Sequence, residues 1–281
     1  MQKSQSAFKK KLSAYSVLAD CDLVDLAMFN RRSRRFQRGQ EVIHEGQITV
    51  SAFLLADGWA CSFKSLPEGD RQIVDFQLPG DFVGLRSVLF QTSHHGVEAL
   101  TPIEAFEVLS SDILDAFTRA PRTAAAVLWA SARDEATVAE HLVNVGRRTA
   151  EQRVAHLLLE LGARLSLAGI GDRSGYPCPL TQYHLADALG LSAIHVNRVL
   201  RHLREDGLVT FRKGEVIFDD PDRLRAVALF DSAYLAQDKS MRHGLSFAAH
   251  LPGQEDHASQ RGAIRARPSP CRAPGPDLPL Q

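Results

Sequence analysis

The sequence predicts an α+β fold: an N-terminal antiparallel β-roll of jelly-roll type, a long helix, and a C-terminal winged helix-turn-helix. Short apolar clusters punctuated by glycines between residues 36 and 108 indicate the roll. An alanine-rich run from Pro121 to Val145, with no internal Gly or Pro, indicates the helix. Two short amphipathic segments joined at Gly190, then a basic turn between apolar strands, indicate the third part.

These features divide the chain into four predicted segments. Residues 1–120 form a sensor-like roll with flanking helices, and residues 121–146 form the long helix. Residues 147–236 form the helix-turn-helix domain with its wing. Residues 237–281 contain six of the 13 prolines and no sustained periodicity, so they are predicted to be a disordered tail.

Composition limits the class of protein. The chain has 281 residues, of which 33 are basic and 33 acidic, so overall charge does not indicate a nucleic-acid partner. The longest apolar run, residues 124–130, is too short to span a bilayer, and no secretion signal follows the N-terminal lysines. We therefore expect a soluble cytoplasmic protein without a membrane partner. Four scattered cysteines give no metal-ligand spacing or disulfide framework.

The long helix carries a stripe of small and apolar residues on one face. Steps of three and four place the following residues together: Leu128, Ala132, Ala136, Ala139 and Val143, widened by Val138, Leu142 and Val145. Such a stripe permits close approach of a second helix, which predicts dimerisation. The alternative is a helix that packs only on its own domain.

Further signals delimit the helices that follow. Gly146 is expected to break the long helix, and Thr149 with Gln152 matches a capping box for the next one, which ends near Ser166. Residues 169–179 are predicted to form a loop or a small hairpin. A last helix is expected from about Pro221 to about Ala236.

The helix-turn-helix prediction depends on residues 180–218. The first short helix has a buried face that includes Ala186, and Gly190 ends it in a left-handed conformation. Ser192 is suited to cap the second helix. That helix has a complete core face at i, i+3, i+4 and i+7, formed by Val196, Val199, Leu200 and Leu203.

The opposite face of the second helix predicts DNA reading. Ile194 can lie against a thymine methyl, Arg198 can bond guanine O6 and N7, and Asn197 can read adenine or hold a phosphate. The alternative is a solvated polar face. Phosphate contacts are expected from Ser192, His195 and Arg201, and from the wing turn. The predicted DNA-contacting residues are Thr181, Gln182, Ser192, Ala193, Ile194, His195, Asn197, Arg198, Arg201, Arg212 and Lys213.

The order of roll, long helix and winged helix resembles the CRP/FNR family of bacterial regulators over roughly residues 20–230. The resemblance rests on Gly39, Gly46 and Gly58, on the Pro-Gly-Asp-Phe-Val-Gly stretch of residues 79–84, and on Leu-Ser-Ala-Ile-His-Val-Asn-Arg-Val-Leu at 191–200. The last motif is similar to that of many α-proteobacterial members. The family implies a homodimer on a palindromic operator, with recognition helices ~34 Å apart, and RNA polymerase as a partner of activators.

The sequence departs from the family pattern at the positions that bind the effector in cyclic-AMP-binding members. Cyclic-AMP-binding members have Gly-Glu-Leu and then Arg-Ser, whereas here Leu85 follows Gly84 and the Arg-Ser positions hold Ser93 and His94. The positions that would contact the base, Val138 and Ala139, are apolar. Cyclic AMP is therefore not expected, and no cofactor is predicted. A possible effector pocket comprises Gly84, Leu85, Ser93, His94 and His95.

Two other cofactors belong to relatives of this kind. The two adjacent histidines, His94 and His95, can serve as axial haem ligands, although solvated histidines are the plainer interpretation. An oxygen-sensing [4Fe–4S] centre needs an N-terminal cysteine cluster, and only Cys21 lies there, so this mechanism is excluded. Cys178 is either a structural thiol or a switch whose oxidation blocks DNA binding.

The sequence thus predicts a DNA-binding transcriptional regulator in which packing of the long helices about Gly146 sets the spacing of the recognition helices. The alternative is a nucleotide-sensing module that acts through a protein partner. An enzyme is not expected, because no nucleophile elbow, phosphate-binding glycine loop or His-Glu-x-x-His motif is present, and no metal site is predicted.

Overall fold

The computed structural model describes residues 2–13, 29, 32–48 and 51–235. The predicted tail of residues 237–281 lies outside the described residues, as do Cys21 and Cys271. The chain begins with helix α1 (Gln2–Ser13) and continues into the roll. None of the helices in the described ranges combines the length and the apolar character needed to cross a membrane.

The roll consists of two four-stranded antiparallel sheets packed face to face. Their strands are β1 (Ser33–Phe36), β2 (Glu41–Ile43), β3 (Ser51–Asp57), β4 (Ala60–Ser65), β5 (Arg71–Gln77), β6 (Phe82–Val83), β7 (Gly96–Ala99) and β8 (Ile103–Leu109). The strand orders are β1-β8-β3-β6 and β2-β7-β4-β5. Helix α2 (Leu85–Phe90) lies between β6 and β7. The predicted β-roll is confirmed.

Apolar side chains from both sheets fill the inside of the roll. They are Ile43, Phe53, Leu55, Ala60, Val83, Val97, Ala99, Ile103 and Ala105. The β3–β4 corner requires a glycine, because Gly58 has a φ of +89° and a Cβ there would lie 2.3 Å from the Pro102 carbonyl oxygen. These side chains form one of the packed apolar cores of the roll.

Helix α3 (Ser110–Arg119) leads into the long helix α4 (Pro121–Arg147). The prediction that Gly146 breaks this helix is wrong, because α4 includes Gly146 and ends at Arg147. One glycine weakens a helix by only about 1 kcal/mol. The break comes at Arg148, whose extended backbone leads into the Thr149 cap of α5 (Ala150–Leu167). The Thr149–Gln152 capping box is present, with Oγ1 accepting from the Gln152 N–H at 3.3 Å.

The C-terminal domain adds α6 (Gln182–Leu189), α7 (Ala193–Glu205), β10 (Val209–Arg212), β11 (Glu215–Phe218) and α8 (Pro221–Ala228). The predicted loop at 169–179 contains β9 (Gly175–Pro177), which pairs with β11 to make a three-stranded sheet.

The last helix is shorter than predicted. Helix α8 ends at Ala228 rather than near Ala236, since Leu229 adopts a left-handed conformation with φ of 51°. This reversal turns the buried Phe230 ring edge-on to the His156 ring of α5, with centroids 5.0 Å apart. Packing of one aromatic side chain therefore ends the helix.

Candidate nucleic-acid interface

Local hydrogen bonds define both helices of the helix-turn-helix. Thr181 caps α6, its hydroxyl accepting from the His184 N–H at 3.3 Å. Gly190 ends α6 with a φ of 62°, and the Ser192 hydroxyl accepts from the His195 N–H at 3.2 Å to begin α7. The turn therefore has the geometry that these residue types predicted.

Helix α7 presents one buried and one exposed face. The predicted core residues Val196, Val199, Leu200 and Leu203 are all buried. On the other side Ile194 is 75 % exposed, and Asn197, Arg198 and Arg201 are also exposed. A large apolar side chain that is exposed among polar neighbours can lie against a thymine methyl when a helix enters the major groove.

The wing turns at Lys213 and Gly214, between Arg212 and Glu215. Both turn residues have positive φ, 53° and 78°, as a two-residue type I′ hairpin requires. Lysine is not favoured in that conformation, whereas Asn or Gly is. The turn leaves the side chains of Arg212 and Lys213 exposed at the tip of the wing.

Helix α7 and the wing form the two walls of an open groove of about 850 Å³. Eight of the predicted DNA-contacting residues line it: Thr181, Gln182, Ile194, Asn197, Arg198, Arg201, Arg212 and Lys213. Ser192, Ala193 and His195 do not line the groove and lie at the N-terminal end of α7, where Ser192 serves as the cap. The predicted set therefore divides between the groove and one end of the helix.

The groove is cationic in spite of the neutral chain. Its lining contains Arg198, Arg201, Arg204, Arg212 and Lys213 and no carboxylate. Within the described part of the chain, none of these five cations pairs with an acidic side chain. Unpaired cations along a groove fit a polyanion such as the DNA backbone.

The predicted list of DNA-contacting residues omits two residues near this groove. Arg204 lines the groove one turn beyond Arg201, and the local cluster of cations in the sequence had already indicated its charge in this region. Tyr183, on the first turn of α6, is 72 % exposed. An isolated tyrosine in the sequence does not indicate whether it faces solvent or core, so this position had no clear signal.

The residues predicted for the possible effector pocket lack the glutamate and the arginine of the cyclic-AMP-binding pattern. Leu85 is buried where the family pattern has a glutamate, and a Cβ on Gly84 would lie 2.4 Å from the Ile43 Cδ1 atom. The buried Ser93 hydroxyl donates to the His95 carbonyl at 2.7 Å. Gly84, Leu85 and Ser93 therefore supply neither a cation for a phosphate nor a carboxylate for a ribose.

The structure also gives the surroundings of the two histidines and of Cys178. The exposed His94 ring packs edgewise on Phe90, with centroids 5.9 Å apart, rather than facing an enclosed haem cavity. His95 is half-buried, and burial lowers its pKa. Cys178 is buried, and this burial raises its pKa to about 12, which favours the structural thiol over the switch. No cluster of metal-ligating side chains occurs among the described residues.

Two domain families match the two halves of the chain. Residues 33–120 match the cyclic nucleotide-binding domain, and residues 152–227 match the Crp-like helix-turn-helix domain. The first match covers the roll and α3, and the second extends from α5 to α8. The second match includes α6, α7 and the wing, and so covers the whole groove.

Curated relatives and solved structures agree on one family. The nitrogen fixation regulation protein FixK of Bradyrhizobium diazoefficiens is 30 % identical over 76 % of this chain and 90 % of its own length. The transcriptional activator protein FnrL of Cereibacter sphaeroides is 29 % identical over 77 % and 89 %. The FixK2 structure from Bradyrhizobium japonicum aligns with a TM-score of 0.63 at 26 % identity, over 70 % of this chain and 96 % of that one. This chain therefore belongs to the CRP/FNR family of transcription regulators and carries that family's helix-turn-helix DNA-binding domain.

Proposed function

We propose that this regulator binds a palindromic operator as a homodimer and reads base edges with α7. The observation that carries the proposal is the exposed face of α7, where Ile194, Asn197 and Arg198 stand in the cationic groove. Arg198 is the residue for a guanine, because a guanidinium can bond O6 and N7 together. Ile194 supplies the apolar contact to a thymine methyl.

The exposed face of α4 supports the homodimer. Leu142 is 73 % exposed and Leu128 57 %, and Val143 is exposed beside them. Apolar side chains along one helix face are costly in water, and a two-fold partner helix would cover them. Two copies of the groove then read the two halves of the operator.

The remaining parts of the proposal concern effector and partners. The regulator acts in the cytoplasm on DNA, by binding rather than catalysis, and it recruits RNA polymerase where it activates a promoter. We propose that neither cyclic AMP nor haem controls it. The uncharged Leu85 and Ser93 and the surface position of His94 support this part of the proposal.

Selection of bound duplexes from a random pool with the purified protein tests the proposal. We expect enrichment of inverted repeats whose half-site centres are about one helical turn, or 10 base pairs, apart. Adding cyclic AMP or haem should leave the enriched sequences unchanged. Recovery of an unenriched pool, or of single asymmetric sites only, would contradict the proposal.

A further inference from the structure

Charged side chains are buried where the roll, α4 and the DNA-binding domain meet. Asp81, before β6, accepts a hydrogen bond from Lys11 of α1 at 2.7 Å and pairs with Arg133 of α4. Arg164 of α5 donates to the second Asp81 oxygen at 3.2 Å. All four side chains are less than 5 % exposed. Burial of this many charges is tolerated only when they neutralise one another in fixed geometry.

Arg164 reaches from the DNA-binding domain into the roll. Its guanidinium donates to Asp75 Oδ1 at 2.8 Å and to the Phe76 carbonyl oxygen at 2.6 Å, both on β5. On its own helix it also contacts Glu160, which accepts from the Tyr234 hydroxyl at 2.7 Å. One arginine therefore joins α5 to a strand of the roll through charge-assisted bonds of fixed direction.

A second set of contacts joins the roll to α6, the first helix of the helix-turn-helix. Arg71 Nε on β5 donates to Asp187 Oδ2 at 2.9 Å, and another of its nitrogens donates to Glu98 at 2.6 Å. The neighbouring Gln72 amide donates to the Ala188 carbonyl at 2.8 Å. The strand β5 therefore contacts both α5 and α6.

The hinge between α4 and α5 is connected to the same helix. Arg153 Nε donates to the Arg148 carbonyl at 2.9 Å, and its Nη1 donates to the Leu189 carbonyl at 3.1 Å. Leu189 is the last residue of α6, directly before Gly190. Helix α6 is thus held by the roll on one side and by the hinge on the other.

We propose that Arg164 and Arg71 are positioning residues for operator binding, because they dock the DNA-binding domain on the roll and so set the separation of the two recognition helices. We name these two residues, with their partners Asp75, Asp81 and Asp187, the roll latch. The inference rests on the proposed function, since a separation exists only in a dimer. The roll latch leaves Ile194 and Arg198 uncovered, so docking positions α7 without blocking it.

The physical reason is that the hinge at Arg148 alone does not fix the orientation of the DNA-binding domain relative to the roll. A domain joined only through Arg148 can rotate about that backbone, and a dimer of such domains accepts several half-site spacings. Contacts of α5 and α6 with β5 remove this freedom. The recognition helix α7 moves with them because its buried face belongs to the same apolar cluster as α5 and α6, a cluster that also includes Ile73 and Phe76 of β5.

Three variants test the roll latch, and a fourth is their control. Arg71→Gln and Asp187→Asn break the outer pair from either side, and both residues are partly exposed, which limits the effect on folding. Arg164→Met breaks the inner contact. Burial raises the pKa of Glu160 to about 7, so that carboxyl can take up a proton when the guanidinium is removed. The matched control Arg34→Gln removes an arginine that bonds Glu107 within the roll.

The measurement is affinity for duplexes in which the half-site spacing changes one base pair at a time, together with a single half-site duplex. Wild type and Arg34→Gln should prefer one spacing. The three latch variants should bind the single half-site duplex as wild type does. Their ratio of affinities between the preferred spacing and the other spacings should fall at least about fivefold, which is the lower end of typical coupling between two sites. A purely structural role would instead lower the active fraction, which weakens binding to every duplex equally and leaves the ratio unchanged.

An unchanged spacing profile in Arg71→Gln and Asp187→Asn, with both folded by circular dichroism, would overturn the inference while leaving the proposed function intact. If Arg164→Met does not fold, the two outer variants decide. Wild-type protein that binds no inverted repeat at any spacing would contradict the proposed function itself and, with it, the inference.

Discussion

Arg198 and Lys213 line the same groove, but the structural elements that carry them differ in rigidity. Arg198 stands on α7, whose opposite face is buried through Val196 and Val199. Lys213 stands on the two-residue wing turn, on an exposed hairpin. A base-reading group needs a rigid support for directed bonds, whereas a phosphate contact needs only charge at the right distance. The two side chains should therefore affect specificity and affinity separately.

Substituting Arg198→Ala should weaken operator binding by about 1–3 kcal/mol and relax the preference at one base pair, since a bidentate contact to guanine is lost. Lys213→Ala, the matched control on the wing, should weaken binding to all sequences alike and reduce the salt slope by about 1. Titrations of the operator and its single-base variants at several salt concentrations measure both effects. Unchanged sequence preference in Arg198→Ala would show that α7 is placed differently on the DNA.

At the scale of elements, the sequence predicted the features that depend on interactions between residues close together in the chain. The helix-turn-helix was predictable because Gly190 and Ser192 each satisfy a backbone requirement within a few residues. The end of α8 was not, because it depends on Phe230 packing against His156, more than seventy residues away in the chain. The α7 wall of the groove, including Arg204, followed from helix periodicity.

The contacts of the roll latch could not be predicted from the sequence. Arg164 and Asp75 are 89 residues apart, and neither has a neighbouring pattern that identifies its partner. Both would be assigned to a solvated surface by residue type alone. Their burial results from how the two domains dock, which periodicity within a single element does not encode.

The turn between α6 and α7 gives a prediction at this scale. Gly190→Ala should destabilise the protein by about 1–2 kcal/mol, because alanine in a left-handed conformation places its Cβ against the carbonyl. Space is not the cause, since a Cβ at Gly190 would meet only Val145 Cγ1, at 3.7 Å. Equilibrium denaturation with urea measures the loss.

The control for this prediction is Gly190→Asn, since asparagine tolerates the left-handed region and should retain most of the stability. Equal losses in Gly190→Ala and Gly190→Asn would mean that the backbone conformation is not the cause.

At the scale of the whole molecule, helix α4 has an exposed apolar face in the single chain. One side of this helix packs in the core through Ala126 and Ala130, while the opposite side leaves Leu128 and Leu142 in solvent. A two-fold axis along that side would place each apolar residue near its counterpart, as an isologous interface requires. Dimerisation would also double the number of cationic grooves. The chain as a whole is neutral, so tight DNA binding depends on these local cations.

A charge in this face should separate the dimer without unfolding the monomer. Leu142→Glu places a carboxylate where the partner's apolar side chains would bury it, and an unpaired buried charge is strongly unfavourable. Because Leu142 is 73 % exposed in the single chain, the same change costs the monomer little. We expect sedimentation velocity to show a monomer at concentrations where wild type is a dimer, and operator affinity to fall accordingly.

The control is Leu66→Glu, which introduces the same charge at an exposed leucine on the turn between β4 and β5. It should leave both sedimentation and operator binding at wild-type values. Because two half-sites bind as one unit only when the domains are joined, Leu142→Glu should approach the affinity of wild type for a single half-site. If the Leu142→Glu protein still sediments as a dimer, the dimer interface does not include this face of α4.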